Sequence, residues 1–214
     1  FDLSTLLGEI KKSRILVIGD IMLDRFVYGT VDRISPESPV PVLAIKREEK
    51  MLGGAGNTLA NLAGLECDAH IISVVGDDDE AAHIAKQIET LGYNANGLIK
   101  HPHHPTIVKT RFLAGHQQLL RTDFERTEVI DDQIAAQIIE AATKAMEGVN
   151  AVILSDYGKG MLRPDVISAI IAAAKTANIP IIVDPKGQDF SLYKGATAIT
   201  PNKKELSEAT NGAS

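Results

Sequence analysis

A three-layer α/β/α sandwich carrying a small second β-sheet is the fold class this sequence predicts, on three observations. Short continuous apolar runs recur at 15–19 (ILVIG), 71–75 (IISVV), 151–154 (AVIL) and 179–183 (IPIIV), the pattern of strands buried on both faces of a parallel sheet. Stretches of helical period separate them, and strand–helix alternation builds α/β sandwiches. Two further stretches, 25–47 and 106–124, are extended in character and break that rhythm.

The elements follow in order. The first apolar run closes on Gly19-Asp20. Pro36, Pro39 and Pro41 then surround the alternating segment VPVLAIK, which reads as a strand outside the main sheet. After Gly53-Gly54-Ala55-Gly56-Asn57, the segment TLANLAGL places Leu59, Leu62 and Ala63 at core spacing on a helix. Further helices are predicted over 79–91, ending at Gly92, over 132–147 with Ile134, Ile138, Ile139, Ala142 and Met146 on one stripe, and over 165–177 with Val166, Ile167, Ile170, Ile171 and Ala174. Segment 106–124 reads as two strands about a turn at Gly115. The extended pieces, about 25–48 and 104–125, are expected to join as a lid beside a single domain.

Composition bounds the function. With 44% hydrophobic and 23% charged residues the chain is globular rather than disordered. A net charge of −6 argues against a nucleic-acid or anionic-membrane partner, since both require a broad positive field. Cys67 is the only cysteine, so no intramolecular disulfide forms; with no leader pattern at the start, a reducing cytoplasm is the expected location. No apolar run approaches the roughly 20 residues of a membrane-spanning helix.

Five polar segments fall at predicted strand ends, where open α/β sheets place ligands. Gly19-Asp20-Ile21-Met22-Leu23-Asp24 brings carboxylates that accept hydrogen bonds from sugar hydroxyls, or that simply close a turn. Gly53-Gly54-x-x-Asn57 offers close backbone approach, helix-terminal N–H groups and an amide that both donates and accepts. Ser155-Asp156-Tyr157-Gly158-Lys159 and Asp184-Pro185-Lys186-Gly187 each deliver an acid and a base. Asn202-Lys203-Lys204-Glu205 opens the last helix and fits a capping box equally well. Two bland readings accompany these: Asp77-Asp78-Asp79-Glu80 as acids favoured by a helix dipole, and His101, His103 and His104 as a solvated loop among prolines rather than a metal site.

Nucleotide-cofactor binding through Gly54-x-Gly56 fails, because Leu59 stands where Gly or Ala is required and the preceding segment KREEKML is charged. A P-loop signature does not occur in the sequence.

The order and spacing of these segments resemble the PfkB family of ribokinase-like carbohydrate kinases. Within it, the strings RISPESPVPV (33–42), GDIMLD, DYGKG and DPKG are similar to the branch that phosphorylates D-glycero-β-D-manno-heptose 7-phosphate. The resemblance implies that Asp24, Gly53, Gly54 and Asn57 hold sugar hydroxyls and that Asp156 lies at the back of the sugar pocket. It also implies that Asp184, Asn202 and Glu205 organise ATP and Mg²⁺, Glu205 acting indirectly on the metal. Arg111 and Arg121 on the lid, with Lys159 and Lys186 on the core, are the candidate partners of the substrate phosphate. The lid is expected to form a homodimer surface. The family's catalytic base belongs to a Gly-Ala-Gly-Asp segment that would follow Ser214, so no catalytic residue is expected in this chain, the last part of the domain is expected to be missing, and little turnover is expected of the chain alone. Another PfkB sugar or nucleoside kinase, or a non-catalytic sugar-phosphate-binding or dimerisation module, remain the alternatives.

Overall fold

The computed structural model describes residues 2–210. In chain order the elements are α1 (Leu3–Ile10), β1 (Arg14–Gly19), β2 (Ile21–Ile34), β3 (Pro41–Gly54), α2 (Ala55–Gly64), β4 (Asp68–Gly76), α3 (Asp79–Thr90) and β5 (Leu98–His101). They continue with β6 (Val108–Ala114), β7 (Gln117–Phe124), α4 (Asp132–Ala145), β8 (Ala151–Ser155), α5 (Pro164–Thr176), β9 (Ile181–Asp184), a 3-10 turn (Phe190–Tyr193), β10 (Ala198–Ile199) and α6 (Lys203–Ala209). Among the described residues no helix is long and apolar enough to cross a membrane.

The main sheet runs β10-β9-β8-β1-β4-β5 with every pairing parallel. Successive side chains on a strand point to opposite faces, so β1 feeds two cores. Leu16 and Ile18 pack with Ile72, Leu154, Ile138, Ile167 and Ile170 beneath α4 and α5. Val17 instead joins Ile71, Leu59, Ile84 and Ile88 beneath α2 and α3. The expected α/β/α layering is therefore built by the apolar runs and helical stripes read from the sequence.

The second sheet runs β3-β2-β6-β7, with β2–β3 and β6–β7 antiparallel and β2–β6 parallel. Only Asp20 separates β1 of the main sheet from β2 of the lid, and β3 returns to the core by running directly into α2. The charged KREEKML segment forms the last part of β3, where one face is open to water and needs no apolar run.

Local signals account for several boundaries. Asp78 caps α3, its carboxylate accepting from the Ala81 N–H at 2.9 Å, and it also accepts from the Thr106 N–H at 2.8 Å, fastening the approach to β6. Asp131 caps α4 in the same way and Pro164 opens α5. One expectation is corrected: His101 is buried rather than solvated, ending β5 with Nδ1 accepting from the N–H groups of His103 and His104, both at 3.1 Å. Burial first, then the neighbouring His104, pulls its pKa below the usual imidazole value. Among the described residues no group of three or more His, Cys, Asp and Glu side chains is placed to hold a metal ion.

Candidate functional site

Register assembles the first part of the site. Gly19 pairs with Ser155, and Ser155 with Asp184, so Asp20, Asp156 and Asp184 line the carboxyl edge of adjacent strands. Asp20 is almost fully buried and makes four contacts with its own chain. Its N–H donates to Ser155 O at 3.2 Å, and its carbonyl accepts from Ala55 N at 2.9 Å. Its carboxylate accepts from the N–H groups of Tyr157, at 2.9 Å, and Lys159, at 3.2 Å. Burial pushes the Asp20 carboxyl up to about 6, with the N–H groups of Tyr157, Lys159 and Met161 opposing and Asp156 adding to the rise. Asp20 thus anchors the loop after β8 and the start of α2.

Asp156 is likewise committed to its own chain. One oxygen accepts from Gly158 N at 2.8 Å and the other from the Tyr193 hydroxyl at 2.7 Å. Burial, reinforced by Asp156, holds the Tyr193 phenol above its ordinary value.

The glycine turn follows from close packing. A Cβ on Gly53 would collide with the Asp24 carboxylate and Met22, and Gly54 has a φ of +58° with the Asp20 carbonyl against it. Only glycine tolerates that conformation without strain. The turn therefore lays backbone directly against Asp24, while Asn57, in the first turn of α2, is exposed at its edge.

Asp24 forms an ion pair with Arg111 of β6, which lies over the Phe26 ring with 5.2 Å between guanidinium carbon and ring centroid. Arg121, directly opposite Arg111 across β6 and β7, turns along its own strand to Asp123 at 2.9 Å. Lys159 reaches from the core to Glu125 at 2.6 Å, and Lys186 reaches Glu205 at 3.3 Å. All four cations expected to meet a phosphate are therefore paired with carboxylates. Lys109, Asp123 and Glu125 complete this lattice and were not singled out from the sequence. The signal was present, since Lys109 shares strand parity with Arg111, but period-2 reading does not say which face meets the core.

At the far side, Asn202 and Glu205 form a reciprocal capping box at 2.9 and 3.0 Å, as the helix-start reading allowed. Asp184 is raised above the usual carboxylate range by burial and then by Glu205, with Lys186 opposing. Tyr157 links the two sides. After burial, the charges that hold its phenol up are, in order, Asp184, Asp24, Glu205 and Asp20.

A parallel α/β sandwich whose strand-end carboxylates and glycine turn lie beside a second, smaller sheet defines the fold class. The chain belongs to the pfkB family of carbohydrate kinases, whose profile matches residues 12–214. It is 45% identical over 215 residues to the bifunctional protein HldE of Paramagnetospirillum magneticum, covering 99% of this chain and 44% of that protein. It is 49% identical over 206 residues to the HldE of Granulibacter bethesdensis, covering 95% of this chain and 42% of that one. The chain thus spans less than half the length of these relatives. Among solved structures it resembles Arabidopsis thaliana ribokinase complexed with ribose and ATP, with a TM-score of 0.67 at 19% identity, covering 93% of this chain and 63% of that one. Escherichia coli phosphofructokinase-2 has a TM-score of 0.71 at 19% identity, covering 93% and 64%. At that identity these two likenesses establish the ribokinase-like fold, as expected from the sequence.

Proposed function

We propose that this chain carries the sugar-binding part and a share of the nucleotide-binding part of a kinase that transfers the γ-phosphoryl group of ATP to the anomeric hydroxyl of D-glycero-β-D-manno-heptose 7-phosphate. The product is the 1,7-bisphosphate, a precursor on the route to ADP-heptose for lipopolysaccharide core. The observation that carries the reading is the strand register that lines up Asp20, Asp156 and Asp184 along one sheet edge, next to the Gly53-Gly54 turn packed against Asp24, which sets a sugar cradle beside acids suited to a metal-bound nucleotide. Family membership supports a carbohydrate kinase, and the identity to proteins named HldE supports the heptose branch.

In this reading Asp24 and Asn57 orient the sugar hydroxyls against the Gly53-Gly54 backbone, and Asp20 and Asp156 keep the surrounding loops rigid. Asp184 and Glu205 suit Mg²⁺, since their mutual repulsion is what a hard cation relieves and Mg²⁺ uses one or two carboxylates together with phosphates. Glu205 acts indirectly, because its oxygens already meet Lys186 and the Asn202 N–H. The metal would neutralise charge on the phosphates, and these residues would supply orientation, the main contribution of protein to phosphoryl transfer. None of the 214 residues is assigned the role of base. The enzyme acts in the cytoplasm as a homodimer through the lid.

The test is ATP-dependent phosphorylation of heptose 7-phosphate by the full-length protein, followed by ³¹P NMR for an anomeric phosphate. Asp24→Ala is expected to lower kcat/KM by about 100-fold or more, equivalent to about 3 kcal/mol of lost positioning. Phosphorylation of ribose or fructose 6-phosphate in preference to the heptose would replace this substrate with another of the family's sugars. Binding without any turnover would leave the non-catalytic module.

A further inference from the structure

The lid's inner face carries more cations than a sugar needs, and one of them shares a carboxylate with a lysine from the core. Lys109 of β6 stands beside Asp24 in register, so its side chain shares the face that holds the sugar carboxylate, about 5 Å away across the strand pair. Its ammonium lies 3.3 Å from Asp123 and 3.6 Å from Glu125. Lys159, from the loop that Asp20 anchors, lies 2.6 Å from the other oxygen of Glu125. All three side chains of this junction are mostly buried, at 13%, 16% and 16% exposure. The Glu125 oxygen that faces Lys109 is buried without a hydrogen bond.

We propose that Lys109 and Lys159 form the subsite for the phosphate that the sugar substrate already carries, and that Glu125 is the internal anion which this phosphate displaces. The inference rests on the sugar-phosphate reading above and sharpens it.

Charge and geometry favour this pair over the other cations. A phosphate monoester carries about −1.5 to −2 charges and three acceptor oxygens, against one charge and two oxygens on Glu125, so it satisfies two ammonium groups that a single carboxylate serves unevenly. Arg111 is held by the sugar-binding Asp24, Arg121 is half exposed and bound along its own strand, and Lys186 belongs to the Asp184–Glu205 side. A released Glu125 has a receiver at hand. Arg126 lines one pocket with Glu125 and another with Lys159, and belongs to none of the ion pairs among the described residues.

The experiment is calorimetric titration of the full-length protein with heptose 7-phosphate, unphosphorylated heptose and fructose 6-phosphate. Lys109→Ala and Lys159→Ala are each expected to weaken heptose 7-phosphate by about tenfold or more, because a desolvated charge contact is lost, while unphosphorylated heptose changes by less than about twofold. Glu125→Gln keeps the shape of the side chain, and by removing the competing anion it is expected to tighten the phosphorylated sugar by about threefold or more. The idea is overturned if both lysine variants, folded by circular dichroism, keep the wild-type preference for the phosphorylated over the free sugar, or if Glu125→Gln weakens that preference. Should the wild type prefer fructose 6-phosphate yet lose that preference in both lysine variants, the heptose assignment falls and the subsite stands. Tight binding of heptose 7-phosphate that ignores both lysines has the reverse meaning.

Discussion

The core strand ends and the lid's inner face both concentrate carboxylates, but they satisfy them differently. Asp20 and Asp156 end on backbone N–H groups and a phenol, all fixed by the main sheet and its loops. Asp24, Asp123 and Glu125 end on the flexible heads of arginine and lysine side chains. Contacts of the first kind stay in place and define a shape. The second kind trade partners readily, because an ammonium accepts any oxygen anion of suitable position. The core is built to hold the site still, and the lid to exchange one anion for another.

The largest break expected of that contrast is Asp156→Ala. It removes the buried acceptor of two hydrogen bonds, leaving the Tyr193 hydroxyl only its contacts with the Lys186 backbone, and urea unfolding is expected to show a loss of about 3 kcal/mol. Asp156→Asn, which keeps an acceptor, should recover a good part of it.

Next comes Asp20→Asn. The raised carboxyl means that the folded protein holds this proton more tightly than the unfolded chain, so Asp20 contributes stability that is fully present below about 3.8 and lost as pH rises through about 6. Stability of the wild type relative to Asp20→Asn is therefore expected to fall between pH 4 and 7, by on the order of 2–3 kcal/mol. A flat difference across that range would mean that the N–H groups of Tyr157 and Lys159 fully offset the burial.

Asn202→Ala removes one half of a capping box and is expected to cost about 1 kcal/mol. A Glu205→Gln variant, retaining the reciprocal bond, should cost less. The smallest effect belongs to the lid: Arg121→Ala is expected to change stability by less than about 0.5 kcal/mol, because an exposed pair within one strand gains little in water. A loss much above that would show that this part of the lattice is as rigid as the core.

Much of this fold was legible because buried parallel strands are written as unbroken apolar runs and their covering helices as stripes. Val17 and Ile18 sit side by side in one such run and serve opposite layers, which is why no alternation announced either face. The short strands β5 and β10 escaped notice, since LIKH and the two residues of β10 carry too few apolar positions to rise above a loop. At the site, the glycine turn and the strand-end acids were readable as polar residues following apolar runs. Their division of labour was not, because whether Asp156 meets a ligand or Tyr193 depends on a residue 37 positions away. Lys109 and Glu125 matter through cross-strand register and a contact with the distant Lys159, and such pairings emerge only once two sheets are brought together.

The single residue between β1 and β2 has a mechanical consequence. Ile21 pairs with Gly54 right down to the base of the lid, and the Asp20 carbonyl is bound to Ala55 at 2.9 Å. The two strands leave and re-enter the core side by side, and the start of β6 joins them there, the Ile107 carbonyl accepting from the Leu23 N–H at 2.8 Å and Thr106 being tied to Asp78, so the lid stands on one compact base. The lid is then a lever that tilts far more easily than it slides. Points near that base, Gly53 and Asp24 among them, move least in a tilt, while the far end, where Ile34 pairs with Pro41, sweeps the longest arc.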